Sequence, residues 1–174
     1  MRQAPGRGIR REHAVKALAD RGVAVEDIAQ LVLEIQKRYV PDLTLEDARE
    51  SVERVLDKRE VQNAILTGVA LDVLAEQGVL PEPLGQTVKT DDPLYGIDEI
   101  LALSIVNVYG TIGLTNFGYL DKLKPGIIGR LNSEKDGKVN TFIDDIVAAI
   151  AAAAAGRVAH RARDGTLRET TPPE

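Results

Sequence analysis

Near its C-terminal end the chain runs Ile146-Val147-Ala148-Ala149-Ile150 and then through five alanines to Ala155, with no polar side chain among them. Alanine is the strongest helix former, and a helix that is apolar all round has no face to give to water. The pattern predicts a helix from Phe142 to about Arg163, buried nearly all round. The rest of the chain must then act as its support. Its first turn carries Asp144-Asp145, and no further acid follows before Asp164. The head of this helix is therefore expected in the interior or beside a cleft, where a carboxylate is expensive unless something compensates it.

The preceding segments read as helices as well. Arg10 to Arg21 is a short one that stops at Gly22, and Val25 to Tyr39 carries Ile28, Leu31, Val32 and Ile35 on one face. Thr44 and Asp47 have the spacing of a capping box for a helix reaching about Lys58, with Leu45, Ala48, Val52 and Val55 on its apolar side. A further helix spans about Glu60 to Gln77, either continuing the previous one or separate, and Gly78 ends it. Leu80 to Pro93 is a loop rich in proline with a short helix at Leu84–Val88. Gly96–Val108, Thr111–Lys122 and Pro125–Leu131 complete the set. No stretch alternates long enough to build a sheet. The expected fold is all-α, a single compact multi-helix domain with a buried Ala-rich C-terminal helix. Within it, residues 1–9 form a disordered tail and 10–163 the domain, split into an amphipathic scaffold (10–79) and an acidic half (94–163). Residues 164–174 are a polar tail.

Composition removes several classes of chemistry. The chain has 174 residues, no cysteine and two histidines, His13 and His160, near opposite ends. The lack of cysteine excludes thiolate metal sites, and two distant histidines argue against a zinc site built on imidazole, which favours a hard cation on oxygen ligands for any bound metal. A formal charge of −5 argues against nucleic acid. Ile100 to Leu120 lacks any charge and is long enough to span a bilayer. It contains Ser104, Asn107, Thr111, Thr115, Asn116 and three glycines, so it is read as two buried helices bent near Gly110–Gly113. The expectation is a cytoplasmic protein whose membrane contact is at most peripheral, at the inner face.

Three acidic groups stand on this apolar background: Asp98-Glu99, Asp121 and Asp144-Asp145. Two have ordinary explanations. Thr141 and Asp144 have the spacing of a capping box, and acids in a first turn suit the helix macrodipole, which covers Asp98-Glu99 too. Adjacent helical residues point about 100° apart, so only one of Asp98 and Glu99 can face fully inward. Asp121 lies at a helix end, where a carboxylate opposes the dipole. Its neighbours Lys122 and Lys124 could pair with it. Alternatively the acids converge on a metal ion while Lys124 faces a phosphate, and Pro125 fixes the turn.

The order Asp98-Glu99, then Tyr119-Leu120-Asp121-Lys122-Leu123-Lys124-Pro125, then Asp144-Asp145 on an Ala-rich helix resembles the phosphatidylglycerophosphatase A family. The chain is most similar to its soluble relatives in Gram-positive bacteria, the low-temperature-requirement proteins. The resemblance implies a Mg²⁺-dependent phosphomonoester hydrolase, with Mn²⁺ as the alternative ion and a phospholipid headgroup as one candidate substrate. It implies metal ligands at Asp98, Glu99, Asp121, Asp144 and Asp145. Asp121, Lys124 and Asp145 would be catalytic, and Lys124 would bind the substrate phosphate. The glycine- and threonine-rich N-terminal motif of the membrane enzymes has no counterpart before Asp98. Two other readings stand beside it. One is a non-enzymatic or regulatory helical homo-oligomer, with the Ala-rich helix inside the monomer or at the subunit contact. The other is an all-α nucleotide pyrophosphohydrolase using Glu46, Asp47 and Glu50.

Overall fold

The computed structural model describes residues 8–133 and 136–167. Most of the expected N-terminal tail, Glu134 and the end of the polar tail lie outside the described residues. The elements are α1 (Arg11–Asp20), α2 (Val25–Gln36), α3 (Leu45–Leu56), α4 (Arg59–Glu76), α5 (Leu84–Thr90), α6 (Ile97–Val106), a 3-10 turn (Asn107–Tyr109), α7 (Gly110–Leu123), α8 (Gly126–Ser133) and α9 (Ile143–Arg163). No strand occurs among the described residues.

The Ala-rich helix α9 is the axis of the domain. Every residue from Ile143 to Gly156 is buried, and α2, α3, α4, α6, α7 and α8 all pack against it. It therefore lies inside the monomer rather than at a subunit contact. Its aliphatic side chains each contribute about 1.5–3 kcal/mol by leaving water, while its alanines and glycine admit close neighbours. Gly156 faces Tyr109 and the backbone of Gly113, 3.6 Å from a Cβ built there. On α4, a Cβ at Gly68 would run into Ile146 and Phe142 of the α9 segment and Leu101 of α6. These small residues set how near the surrounding helices come.

The structure resolves one open reading and departs from another. The chain breaks between α3 and α4 because Lys58 is extended, with ψ 131°, so these are separate helices. Leu45, expected on the apolar face, is exposed, whereas Ala48, Val52 and Val55 of the same face are buried. The capping box that precedes it does form: Thr44 Oγ1 accepts from Asp47 N at 3.1 Å, and Thr44 N donates to Asp47 Oδ2 at 3.0 Å.

The charge-free run does bend, at the 3-10 turn, and Gly110 takes a positive φ of 67°. It is only partly buried, however. Ile97–Leu123 is long and apolar enough to cross a membrane, with a mean hydropathy of 1.5 in its most apolar window, yet only 28% of that window is buried. The bend explains the geometry. Eleven residues separate Asp98 from Tyr109, Gly113 from Lys124 and Asp145 from Gly156, about 16 Å of helix in each case. Tyr109 and Gly113 lie at Gly156, while Asp98 and Lys124 return to the head of α9 beside Asp145. α6 and α7 are thus the arms of a hairpin laid along α9, each burying one side and leaving the other in solvent.

Replacing Gly68 by valine tests the close crossing of α4 and α9. Overpacking there is expected to lower stability by about 2 kcal/mol, read as a fall in the urea midpoint with an unchanged slope.

Candidate active site

The open end of the hairpin, the end of α7 and the head of α9 meet at Lys124. This residue closes α7 in the left-handed conformation, φ 44° and ψ 55°, a region that non-glycine residues rarely occupy. Pro125 follows and α8 starts at once. The turn sends the Lys124 ammonium back over its own helix end. Its Nζ lies 3.1 Å from Asp121 Oδ1, 3.0 Å from Asp144 Oδ2 and 3.9 Å from Asp145 Oδ1. Asp121 and Lys124 are three residues apart, one helical turn.

The head of α9 is placed by residues that sequence reasoning passed over. Thr141 does not cap the helix; its Oγ1 donates to Val88 O at 2.6 Å. The cap comes instead from Asp72 of α4, which is fully buried. Asp72 accepts from Phe142 N at 3.1 and 3.2 Å and from Ile143 N at 3.0 Å. The segment before it is pinned by Arg21, which donates to Asn140 Oδ1 at 2.8 Å and pairs with Glu76 at 2.6 Å. Glu76 in turn accepts from Val139 N at 2.7 Å. Asp72 had a signal in the sequence. It sits at the helical spacing of Val61, Ile65 and Gly68, an acid on the apolar stripe of α4.

With capping done by Asp72, Asp144 and Asp145 are free to face Lys124. Both are nearly fully buried. Burial pushes Asp144 up to about 6, with Asp91 adding to the shift and Lys124 opposing it. Asp145 is raised further by burial and by Asp144, Asp121 and Asp98, against the pull of Lys124. Asp72 is pushed up to about 8 by burial, against its two backbone donors and Arg21. Burial alone would lower Lys124, but Asp144 and Asp121 outweigh it and raise the ammonium well above an ordinary lysine. Asp98 is raised chiefly by burial, and its Oδ1 is buried with no hydrogen-bond partner among the described residues. Glu99, the next residue round α6, is exposed.

Asp98, Asp121, Asp144, Asp145 and Lys124 are therefore neighbours, whereas Glu99 stands at the surface. Among the described residues, no group of three or more acidic or histidyl side chains is already arranged to hold a metal ion. The ammonium of Lys124 takes up the space between the carboxylates. The donor chemistry still fits a hard cation. All the donors are carboxylate oxygens, one is an orphaned buried oxygen, and the carboxylates outnumber the single ammonium. The fold and this cluster define a single-domain helical protein with an acidic centre at the head of its central helix.

The chain belongs to the phosphatidylglycerophosphatase A family, whose model matches residues 16–160. It is 61% identical to YutG of Bacillus subtilis (strain 168) over 146 residues, which is 84% of this chain and 88% of that protein. It is 63% identical to YpjQ of the same organism over 147 residues, 84% of this chain and 82% of that one. Both relatives are themselves uncharacterised. The crystal structure of the low temperature requirement C protein from Listeria monocytogenes has the same fold. Its TM-score is 0.86 at 58% identity, over 88% of this chain and 97% of that one. Family membership suggests a phosphatase.

The buried acids make stability depend on pH in a stated direction. Asp144, Asp145 and Asp72 have folded values above their unfolded ones. The folded state then holds more protons, and their contribution is lost as pH rises through the folded values. In the absence of divalent cations, the urea midpoint is expected to fall between pH 5 and pH 8. Asp145→Asn, which removes one of these ionisations, is expected to flatten that slope.

Proposed function

We propose that the protein is a Mg²⁺-dependent phosphomonoester hydrolase, with Mn²⁺ as a substitute ion and phosphatidylglycerophosphate as the first substrate to test. The observation that carries this reading is the Lys124 ammonium held between Asp121 of α7 and Asp144 of α9. Such a lysine is a point charge for a phosphate, set among oxygen ligands suited to a hard cation. What Mg²⁺ supplies there when bound is polarisation of a phosphoryl oxygen. Asp98, Asp121 and Asp144 are the residues assigned to hold it. Glu99 is left out of this set because of its exposure.

Lys124 binds the substrate phosphate through Nζ and neutralises charge that grows on its oxygens. A water oxygen bonds to phosphorus and gives up a proton, the ester P–O bond breaks, and the leaving alkoxide takes a proton up. Asp145 is suited to hold that proton. Its raised affinity for protons comes from burial and from the acids around it, which is how a carboxyl group is tuned for acid–base work near neutrality. The protein would act in the cytoplasm, at the inner membrane face when its substrate is a lipid.

The acids of the pyrophosphohydrolase alternative are engaged elsewhere in the fold. Asp47 closes the cap of α3, Glu46 pairs with Arg49, and Glu50 faces Arg54 and Arg157. Each acid has a structural partner.

Phosphate release from phosphatidylglycerophosphate and from soluble phosphomonoesters, with and without Mg²⁺, tests the proposal. Activity should require the cation. Asp121→Ala, Lys124→Ala and Asp145→Ala should each lose about 100-fold or more in kcat. A folded Asp121→Ala, Asp145→Ala double variant with wild-type turnover would move the site elsewhere. Mg²⁺ alone should raise the Tm of the wild type and not that of Asp98→Asn. Saturation to 100 times Kd corresponds to about 2.7 kcal/mol.

A further inference from the structure

The solvent side of the α6–α7 hairpin is apolar in a regular way. Along α6 and its 3-10 turn the exposed positions include Ile97, Ile100, Ser104 and Val108; along α7 they include Ile112, Thr115, Tyr119 and Leu123. Both sets follow the spacing i, i+3, i+7, i+11, which is the spacing of a helix–helix seam. Ile100 is 62% exposed, Tyr119 55% and Leu123 57%. The six large apolar side chains together leave on the order of 500 Å² of apolar surface, near the upper end for a patch on a monomer. That is about the apolar share of a standard interface of roughly 800 Å² per partner.

The charges around this face select its occupant. Between Ile97 and Leu123 the only basic residue is Lys122, against Asp98, Glu99 and Asp121, in a chain of net charge −5. A helix that lies on an anionic lipid surface carries a basic flank, and this one does not. We propose that the face is the contact between two copies of the chain, related by a two-fold axis running along the hairpin. Such an axis lays α6 of one copy antiparallel on α7 of the other. Glu99 and Lys122, both exposed at the open end of the hairpin, then meet across the interface twice. The residues between them are uncharged from Ile100 to Leu120, so no like charges oppose one another within the seam.

Sedimentation equilibrium of the full chain at micromolar concentration, without lipid or detergent, is expected to give twice the chain mass of 18.8 kDa. Ile100→Glu and Tyr119→Glu change exposed positions, so circular dichroism and the urea midpoint should stay as in the wild type. Each is expected to weaken the dimer by at least about 100-fold. Lys122→Glu should weaken it less, and Glu99→Lys combined with Lys122→Glu should restore it. A monomeric wild type, or a dimer indifferent to both glutamate variants, overturns the proposal. So does a monomer that binds phosphatidylglycerol vesicles and loses that binding in Ile100→Glu, which would assign the face to lipid.

Discussion

Asp72 places a carboxylate beneath the first turn of a helix that has no polar face of its own. The opening N–H groups of any helix lack intrahelical partners, and here that end is buried in the domain. Phe142 N and Ile143 N are satisfied from another helix, α4, through a fully buried acid. An unpaired buried donor would cost about 1–3 kcal/mol. The same contact ties α4 to α9 across 70 residues of sequence. Because Asp72 does the capping, Thr141 is released to Val88, and Asp144 and Asp145 point at Lys124. The acidic centre therefore depends on an acid that is not part of it.

Four carboxylates and one ammonium in a partly buried space are poorly balanced. At an effective dielectric of 20, two unit charges 4 Å apart interact by about 4 kcal/mol. The attraction to Asp144 and Asp121 is enough to hold Lys124 charged, while burial and mutual repulsion push Asp144 and Asp145 toward their neutral forms. Such a cluster does little for stability, since burying ion pairs gives back what desolvation takes. Perturbed acids gathered at one point are instead the mark of a functional centre. A second positive charge, as a divalent cation, would relieve the imbalance.

How much of this could be read beforehand follows from which interactions are local. The all-round apolar run of α9, the stops at Gly22 and Gly78 and the cap at Thr44 depend on neighbours a few residues away, and sequence spacing located them. The cap of α9 depends on Asp72, 70 residues distant. A local box at Thr141–Asp144 was the natural substitute, and it does not form. The α6–α7 run was expected to be buried because it is uncharged. Hydropathy reports what a segment could bury and not what lies opposite it, and among the described residues nothing covers one side of this hairpin. Asp98 and Glu99 were separable in principle by the 100° step, but which one turned inward was decided by the packing of α6 on α4 and α9.

Lys124 brings the local and the distant together. A helix that ends in the left-handed region usually does so with glycine, which meets no Cβ penalty there. At this end the chain carries a lysine, and the strain is of order 1 kcal/mol or more. A Gly at this position would relax the backbone and end α7 equally well. The helix end therefore gives no reason for a side chain here. The reason lies in the ammonium, which only this turn can direct back onto Asp121 while reaching Asp144 on another helix. The helix macrodipole favours an acid at Asp98, and capping would have explained Asp144. Neither explains a strained lysine between two carboxylates, and that residue is where a phosphate would meet a cation set among the acids.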